Sequence, residues 1–94
     1  MTLNEQVSRA VGWLSVPDAE HDLAMAWRAY EVVRAQGWRI YSVLDHPQRE
    51  WFSVGLVWHG EGLKHPADAT GATFAEALSR AVVKAMERSE EVEW

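Results

Sequence analysis

The strongest constraint on this chain is an amphipathic helix that ends on glycine and leads directly into two tryptophan-rich strands. Apolar residues at helical spacing predict the helix from about Asp18 to Gln36. Gly37 follows as the expected left-handed stop. Aromatic and β-branched residues fill Trp38–Leu44 and Trp51–His59, as is typical of strands. The segment therefore predicts an antiparallel hairpin joined by the polar turn 45–50.

The remaining elements are shorter or weaker. A first helix is expected from about Thr2 to Trp13, because its apolar residues recur at helical spacing. Leu63–Ala69 is a weak third strand, which Pro66 places at a sheet edge because proline has no donor for the ladder. The sequence Thr73–Glu76 is a capping box, with Thr73 as the cap and the glutamate reaching back, and it starts a last helix that should fray near Arg88.

These elements predict an α+β fold of order ααβββα. It is a sandwich in which the two long helices pack on one face of a three-stranded antiparallel sheet, and the short N-terminal helix packs on the other face or an edge. One domain would span residues 1–88, followed by an acidic, mobile tail at 89–94. The predicted core consists of Trp27, Phe52, Val54, Leu56, Leu78 and Val82.

The composition argues against several classes of function. The chain of 94 residues has no cysteine, which excludes disulfides and zinc–thiolate sites and fits a reducing cytoplasm. A net charge of −5 at pH 7 disfavours nucleic acid as a partner but is compatible with a basic protein. We expect neither a signal peptide nor a membrane span, because no segment approaches the roughly 20 apolar residues that a transmembrane helix needs.

Residues that could carry catalysis or bind a cofactor occur without the spacing that such chemistry needs. His59, His65 and Asp68 could meet across the second hairpin as metal ligands, but no recognised ligand spacing supports that site. No serine has the glycine-flanked context of a nucleophile. The turn Gly60–Gly62 carries an acid where a phosphate would sit. We therefore predict a protein that is not an enzyme and has no metal or cofactor.

The aromatic residues of the hairpin predict an interaction surface. If the second strand is regular, Trp51 lies on the face opposite Phe52 and Val54. Either the N-terminal helix covers that face, or the face is exposed to a partner protein or a second copy of the chain. A homodimer would use this face or the edge of the third strand. The predicted patch comprises Trp38, Arg39, Tyr41, Arg49 and Trp51.

Motifs across nearly the whole chain resemble the phage ABA-sandwich domain, a family of small phage and prophage proteins. They are Val11-Gly12-Trp13, Asp22–Trp27 with Gly37-Trp38, Trp51–Val54 and Thr73–Ala81. The chain lacks the long loop that the family usually has after its first Gly-Trp, and it lacks the usual cysteine of the final helix. The resemblance implies a fold and a phage or prophage source, but no established activity.

A second, partial resemblance covers Trp51 to Glu87. The strand pair followed by Gly71–Leu78 and an alanine-rich helix is similar to the HicB-type antitoxin domain. That resemblance implies neutralisation of a small basic RNA-cleaving toxin. The characteristic Pro-Gly segment at the strand end is missing, and so is a C-terminal DNA-binding motif after Met86.

Taken together, these features favour a non-enzymatic phage or prophage accessory protein that binds a host or phage macromolecule in the host cytoplasm. Inhibition of a host defence or another host process is one such role. The alternatives are a HicB-like antitoxin and a small pocket protein that sequesters a nucleotide signal. Such a pocket would use the two pairs of an arginine beside a tryptophan, Trp38 with Arg39 and Trp51 with Arg49.

Overall fold

The computed structural model describes residues 1–46 and 51–90 and confirms the α+β fold. The three strands form one antiparallel sheet in the order β1-β2-β3. The elements along the chain are α1 (Leu3–Val11), α2 (Leu23–Gln36), β1 (Trp38–His46), β2 (Trp51–Trp58), β3 (Ala67–Gly71) and α3 (Phe74–Glu90).

The N-terminal helix α1 is bounded by a full capping box and a glycine. The Thr2 hydroxyl accepts a hydrogen bond from the Glu5 backbone amide at 3.2 Å, and the Glu5 carboxylate accepts one from the Thr2 amide at 3.2 Å. The bond from the Thr2 amide, together with one that the Thr2 hydroxyl donates to the same carboxylate at 3.0 Å, lowers the pKa of the Glu5 carboxyl. Gly12 has a φ of +79° and ends the helix, so α1 stops before Trp13, where the sequence placed its end.

Helix α2 begins at Leu23 rather than at Asp18. Asp22 is its N-cap and accepts a hydrogen bond from the Ala24 amide at 3.0 Å. Asp18 lies in the preceding turn, where its carboxylate accepts a bond from the Asn4 side chain at 3.0 Å. This bond is the main reason that the pKa of Asp18 is lowered. Several acidic residues precede the helix, and only the structure shows which of them is the cap.

The strands differ from the sequence prediction mainly at their ends. β1 continues to His46, and β2 ends at Trp58 rather than at His59. β3 starts at Ala67, directly after Pro66, and not at Leu63. Its place at the sheet edge is as predicted. The loop residues 47–50 and the tail residues 91–94 lie outside the described part of the chain, whereas Ser89 and Glu90, predicted to belong to the tail, are helical.

All three helices lie on the same side of the sheet. Helix α3 packs on β2 and β3, while α2 packs beside it and reaches β1. Helix α1 packs against α3 and α2 and buries Val7 there. Of the two predicted positions for this helix, the other face of the sheet or an edge, the other face is therefore wrong. The connector after α1 is fixed to the helical layer by a hydrogen bond from the Ser79 hydroxyl to the Ala19 carbonyl at 2.9 Å. That attachment keeps α1 on the helical side.

Four of the six residues predicted for the core are fully buried, and one, Trp27, is not part of the core. Phe52 is partly buried, but Trp27 is 42% exposed and lies outside the core. The buried side of α2 is instead formed by small residues and by Tyr30, whose ring lies 5.2 Å from that of Trp27. The small residues allow α2 to approach α3 closely. The four predicted core residues that are fully buried are Val54, Leu56, Leu78 and Val82.

Trp38 is the largest fully buried side chain and belongs to the core. It pairs in register with Trp58, and the two rings meet edge to face at 5.5 Å. Its indole N–H donates a hydrogen bond to the Ser89 hydroxyl of α3 at 3.2 Å. The prediction that Trp38 belongs to an exposed patch is therefore wrong, because the register turns it toward the helices.

The start of α3 matches the predicted cap. The Thr73 hydroxyl accepts a hydrogen bond from the Glu76 amide at 3.1 Å. The Glu76 carboxylate is paired with Arg80 one turn along the helix at 2.8 Å. Thr73 thus supplies the cap, and its predicted partner Glu76 forms an ion pair within the helix.

Thr73→Ala is expected to lower the free energy of unfolding by about 1 kcal/mol, because the Glu76 amide loses its acceptor. Denaturant unfolding of the two proteins measures the difference. Thr73→Ser keeps the acceptor and serves as the control, with a loss well below that of the alanine variant. Equal losses in both variants would show that the hydroxyl does not act as a cap.

Candidate interaction surface

The sheet face turned away from the helices is open to solvent, and we call it the outer face. Successive residues of a strand point to opposite sides, so the neighbours of Val54 and Leu56 on β2 face outward, as do the exposed residues between the buried positions of β3. The outer face comprises Arg39, Tyr41, Ser42, Leu44, His46, Trp51, Ser53, Gly55, Val57, Asp68 and Thr70.

A β-bulge determines which residues of β1 reach the outer face. The register shifts between Ile40 and Ser42, where two residues of β1 stand opposite Gly55. In an unbroken strand Leu44 would share the inner face with Trp38. The extra residue turns Leu44 outward, where it is 54% exposed. No faces were assigned to the residues of β1 from the sequence, so Leu44 was not identified; the glycine opposite the bulge was a signal.

The centre of the outer face is a tyrosine that crosses the sheet. A Cβ atom on Gly55 would lie 2.6 Å from the Tyr41 ring, so the absence of a side chain at residue 55 lets the ring lie across β2. The Tyr41 hydroxyl donates a hydrogen bond to the Asp68 carboxylate on β3 at 2.8 Å. The bond raises the pKa of Tyr41. Tyr41 therefore has a fixed position although its side chain is 54% exposed.

A second aromatic group lies at the far end of the outer face. The rings of His46 and Trp51 are stacked with centroids 3.7 Å apart and planes 12° from parallel. The His46 Nε2 atom lies 3.0 Å from the Ser53 hydroxyl. These contacts hold the two rings beside Leu44, which neighbours Ser53 in the register. His46 is a further member of the surface that the sequence did not single out.

The structure brings only part of the predicted patch together on the outer face. Tyr41 and Trp51 lie on the outer face as expected, whereas Trp38 is buried. Arg39 also lies on this side, but its guanidinium donates to the backbone carbonyls of Arg34 at 2.7 Å and Trp38 at 2.8 Å. Arg39 therefore stabilises the junction of α2 and β1 and is not directed into an aromatic pocket. Arg49 lies outside the described residues.

The three candidate metal ligands weighed in the sequence, His59, His65 and Asp68, do not form a cluster in the described part of the chain. Asp68 is bonded to Tyr41, and no group of three or more histidine, aspartate or glutamate side chains among the described residues is placed to hold a metal ion. Within the same residues, no helix is long and apolar enough to cross a membrane.

Another exposed apolar area lies on α2 and serves as a comparison for the outer face. Leu23 and Trp27 are 48% and 42% exposed and lie near Phe74 at the start of α3. The two areas each present a leucine and an aromatic residue at similar exposure. The two areas differ in how firmly their aromatic side chain is held, because the Tyr41 hydroxyl is hydrogen-bonded across the sheet to Asp68.

Comparisons with protein-family models, with curated proteins and with solved structures give no match for this chain. The resemblance to the phage ABA-sandwich family and the partial resemblance to HicB-type antitoxins therefore stay predictions.

Proposed function

We propose that this chain is a non-enzymatic phage or prophage accessory protein that binds a basic protein partner through the outer face. The observation that carries the proposal is an uncovered sheet face with two half-exposed, well-positioned anchors, Tyr41 and Leu44. Most small domains with one sheet leave the solvent side polar. Here the exposed side carries aromatic rings instead.

The chemistry of the outer face suits recognition of a protein. Tyrosine and tryptophan are among the residues that supply most of the binding energy at protein interfaces, and the near-neutral contacts around them exclude water. Tyr41, Leu44 and the His46–Trp51 stack provide such anchors, and Ser42, Ser53 and Thr70 provide the polar surroundings. The backbone hydrogen bonds of the sheet fix the positions of these residues before binding, which reduces the conformational entropy lost on association.

The charge of the chain supports a basic partner. The net charge is −5 at pH 7, so the field around the molecule attracts cationic surfaces and raises their association rate. On the outer face Asp68 is exposed, and Arg39 is already engaged with backbone carbonyls. Binding to a basic partner should therefore weaken as the salt concentration rises.

Capture from a bacterial host lysate with matched variants tests the proposal. The variant Tyr41→Ala/Leu44→Ala removes both outer-face anchors, and Leu23→Ala/Trp27→Ala removes an aromatic residue and a leucine of similar exposure from α2. We expect the wild type and the α2 variant to retain the same protein and the outer-face variant to lose it. Thermal unfolding confirms that both variants fold. Retention by the outer-face variant would overturn the proposal.

A further inference from the structure

The two edges of the sheet are protected very differently. On β3, the Lys84 ammonium donates to the Asp68 carbonyl at 2.6 Å, and the Arg80 guanidinium donates to the Thr70 carbonyl at 3.1 Å. Both side chains come from α3 and occupy carbonyls that a further strand would need. Covering an edge with cationic side chains is a known protection against unwanted strand pairing. The third-strand edge that the sequence offered for a dimer is therefore occupied.

The first half of the β1 edge is occupied as well. The Ile40 amide donates to the Tyr30 hydroxyl at 3.1 Å, and the Trp38 carbonyl accepts from Arg39 at 2.8 Å. These bonds show that Trp38 and Ile40 turn their backbone groups away from β2. The bulge follows directly after Ile40 and separates this protected half from the rest of the strand.

The second half of the β1 edge is open. Beyond the bulge, Val43 pairs with Val54 and Asp45 pairs with Phe52. Because Val54 and Phe52 direct their backbone groups to β3, Val43 and Asp45 direct theirs outward, away from β2. Among the described residues no side chain bonds to these outward groups. Val43 is 47% exposed and Leu44 54%, so apolar side chains flank the unpaired backbone.

We infer that the edge from Ser42 to His46 is a homodimer interface, at which the β1 strands of two copies pair antiparallel about a two-fold axis. An open edge is recognised by another strand, and an antiparallel pair of identical strands is self-complementary. The two sheets become one continuous sheet, and the two outer faces become one surface. Each copy thereby completes the binding surface of the other.

Like-charge repulsion disfavours one register of this pairing and leaves a Leu44-centred register available. With Leu44 on the axis, Leu44 of one copy faces Leu44 of the other, and Asp45 faces Val43. An axis on Asp45 would place two carboxylates directly opposite each other, which is unfavourable. The Leu44 register also leaves Val43 and Asp45 as the hydrogen-bonded pair. It places the two leucines at a non-hydrogen-bonded position, where their side chains approach most closely.

The oligomeric state of edge variants tests the homodimer. Val43→Lys places a charge at the open edge, while Val16→Lys makes the same substitution at a 56% exposed position before α2. In light scattering at tens of micromolar, we expect twice the chain mass for the wild type and Val16→Lys, and the chain mass for Val43→Lys. A monomeric wild type, or a dimeric Val43→Lys, would overturn the homodimer.

A single cysteine tests the register in a chain that has none. At a non-hydrogen-bonded pair the Cα atoms are about 4.5 Å apart, which is within the range that a disulfide spans. Leu44→Cys is therefore expected to oxidise to a covalent dimer, and Leu14→Cys, at a fully exposed position away from the sheet, is the control. Equal oxidation of both variants would contradict the register.

The homodimer and the proposed function can fail separately. If the wild type is monomeric but its capture of a host protein still depends on Tyr41 and Leu44, the homodimer is wrong and the proposed function stands. If the wild type is dimeric and captures nothing through the outer face, the proposed function is wrong and the homodimer stands.

Discussion

Trp38→Ala is expected to lower the free energy of unfolding by about 3–5 kcal/mol, the largest effect of any single substitution considered for this chain. The side chain is fully buried between the sheet and α3. Its removal leaves a cavity, ends the edge-to-face contact with Trp58 and removes the donor to the Ser89 hydroxyl. Small domains have a total stability of the same order, so the variant is expected to be largely unfolded near body temperature.

Trp27→Ala is the matched control for Trp38→Ala. Trp27 is 42% exposed and its main aromatic contact is the ring of Tyr30, so its removal is expected to cost about 1 kcal/mol. Denaturant unfolding, followed by circular dichroism, measures both variants without depending on tryptophan fluorescence. A cost for Trp27→Ala that equals the cost for Trp38→Ala would contradict the placement of these two residues.

Gly71→Ala is expected to lower the free energy of unfolding by about 1–3 kcal/mol because the site has no space for a methyl group. A Cβ atom at residue 71 would lie 2.6 Å from the Ala77 backbone nitrogen and 2.9 Å from the Glu76 Cβ atom. The last residue of β3 would have to move away from the first turn of α3. Alanine also reduces the entropy of the unfolded chain, which offsets about 0.4–1 kcal/mol of the loss.

Thr70→Ala is the control for Gly71→Ala, because it changes the neighbouring residue on the exposed outer face. Its effect is expected to stay within about 0.5 kcal/mol, as for most surface substitutions. Thermal unfolding of the two variants under identical conditions gives the comparison. If Gly71→Ala were as stable as the wild type, the close approach of β3 and α3 would be wrong.

Local sequence signals predicted most of the elements correctly. The glycine stop at Gly37, the threonine cap at Thr73 and the aromatic strands each depend on neighbouring residues, and all three are present in the structure. The third strand lies at the sheet edge as predicted, but it begins after Pro66, so the missing donor of Pro66 lies outside the ladder and does not explain that place. The first three signals hold because they describe requirements of the backbone that packing does not change.

The misplacement of Trp27 shows where helical periodicity is ambiguous. On α2, Trp27 and Ala26 both lie at helical spacing from other apolar residues, so the pattern allows either side to be buried. The choice depends on how closely α3 approaches. The structure buries the side with Ala26, Ala29 and Val33, because small residues let the helices pack tightly, and it leaves the larger Trp27 at the margin.

The outer face could be predicted only in part because its composition depends on the bulge. Regular alternation of β2 correctly placed Trp51 on the outer face. Trp38 was added to the patch only as a neighbour of Trp51, although it lies before the bulge and faces the helices, and Leu44 was not identified. A bulge shifts every later residue of the strand to the opposite face. No local residue pattern in β1 specifies its position, and the only signal is Gly55 on the neighbouring strand.

The most direct test of the proposed binding surface is photo-crosslinking in bacterial host cells from single positions. A photoreactive phenylalanine analogue placed at the exposed outer-face residue Thr70 leaves Tyr41 and its bond to Asp68 in place, and the same analogue at Trp27 reports on α2. We expect the analogue at Thr70 to form covalent adducts with a basic protein and the analogue at Trp27 to form none. The absence of adducts from Thr70, whatever the analogue at Trp27 captures, would contradict binding through the outer face.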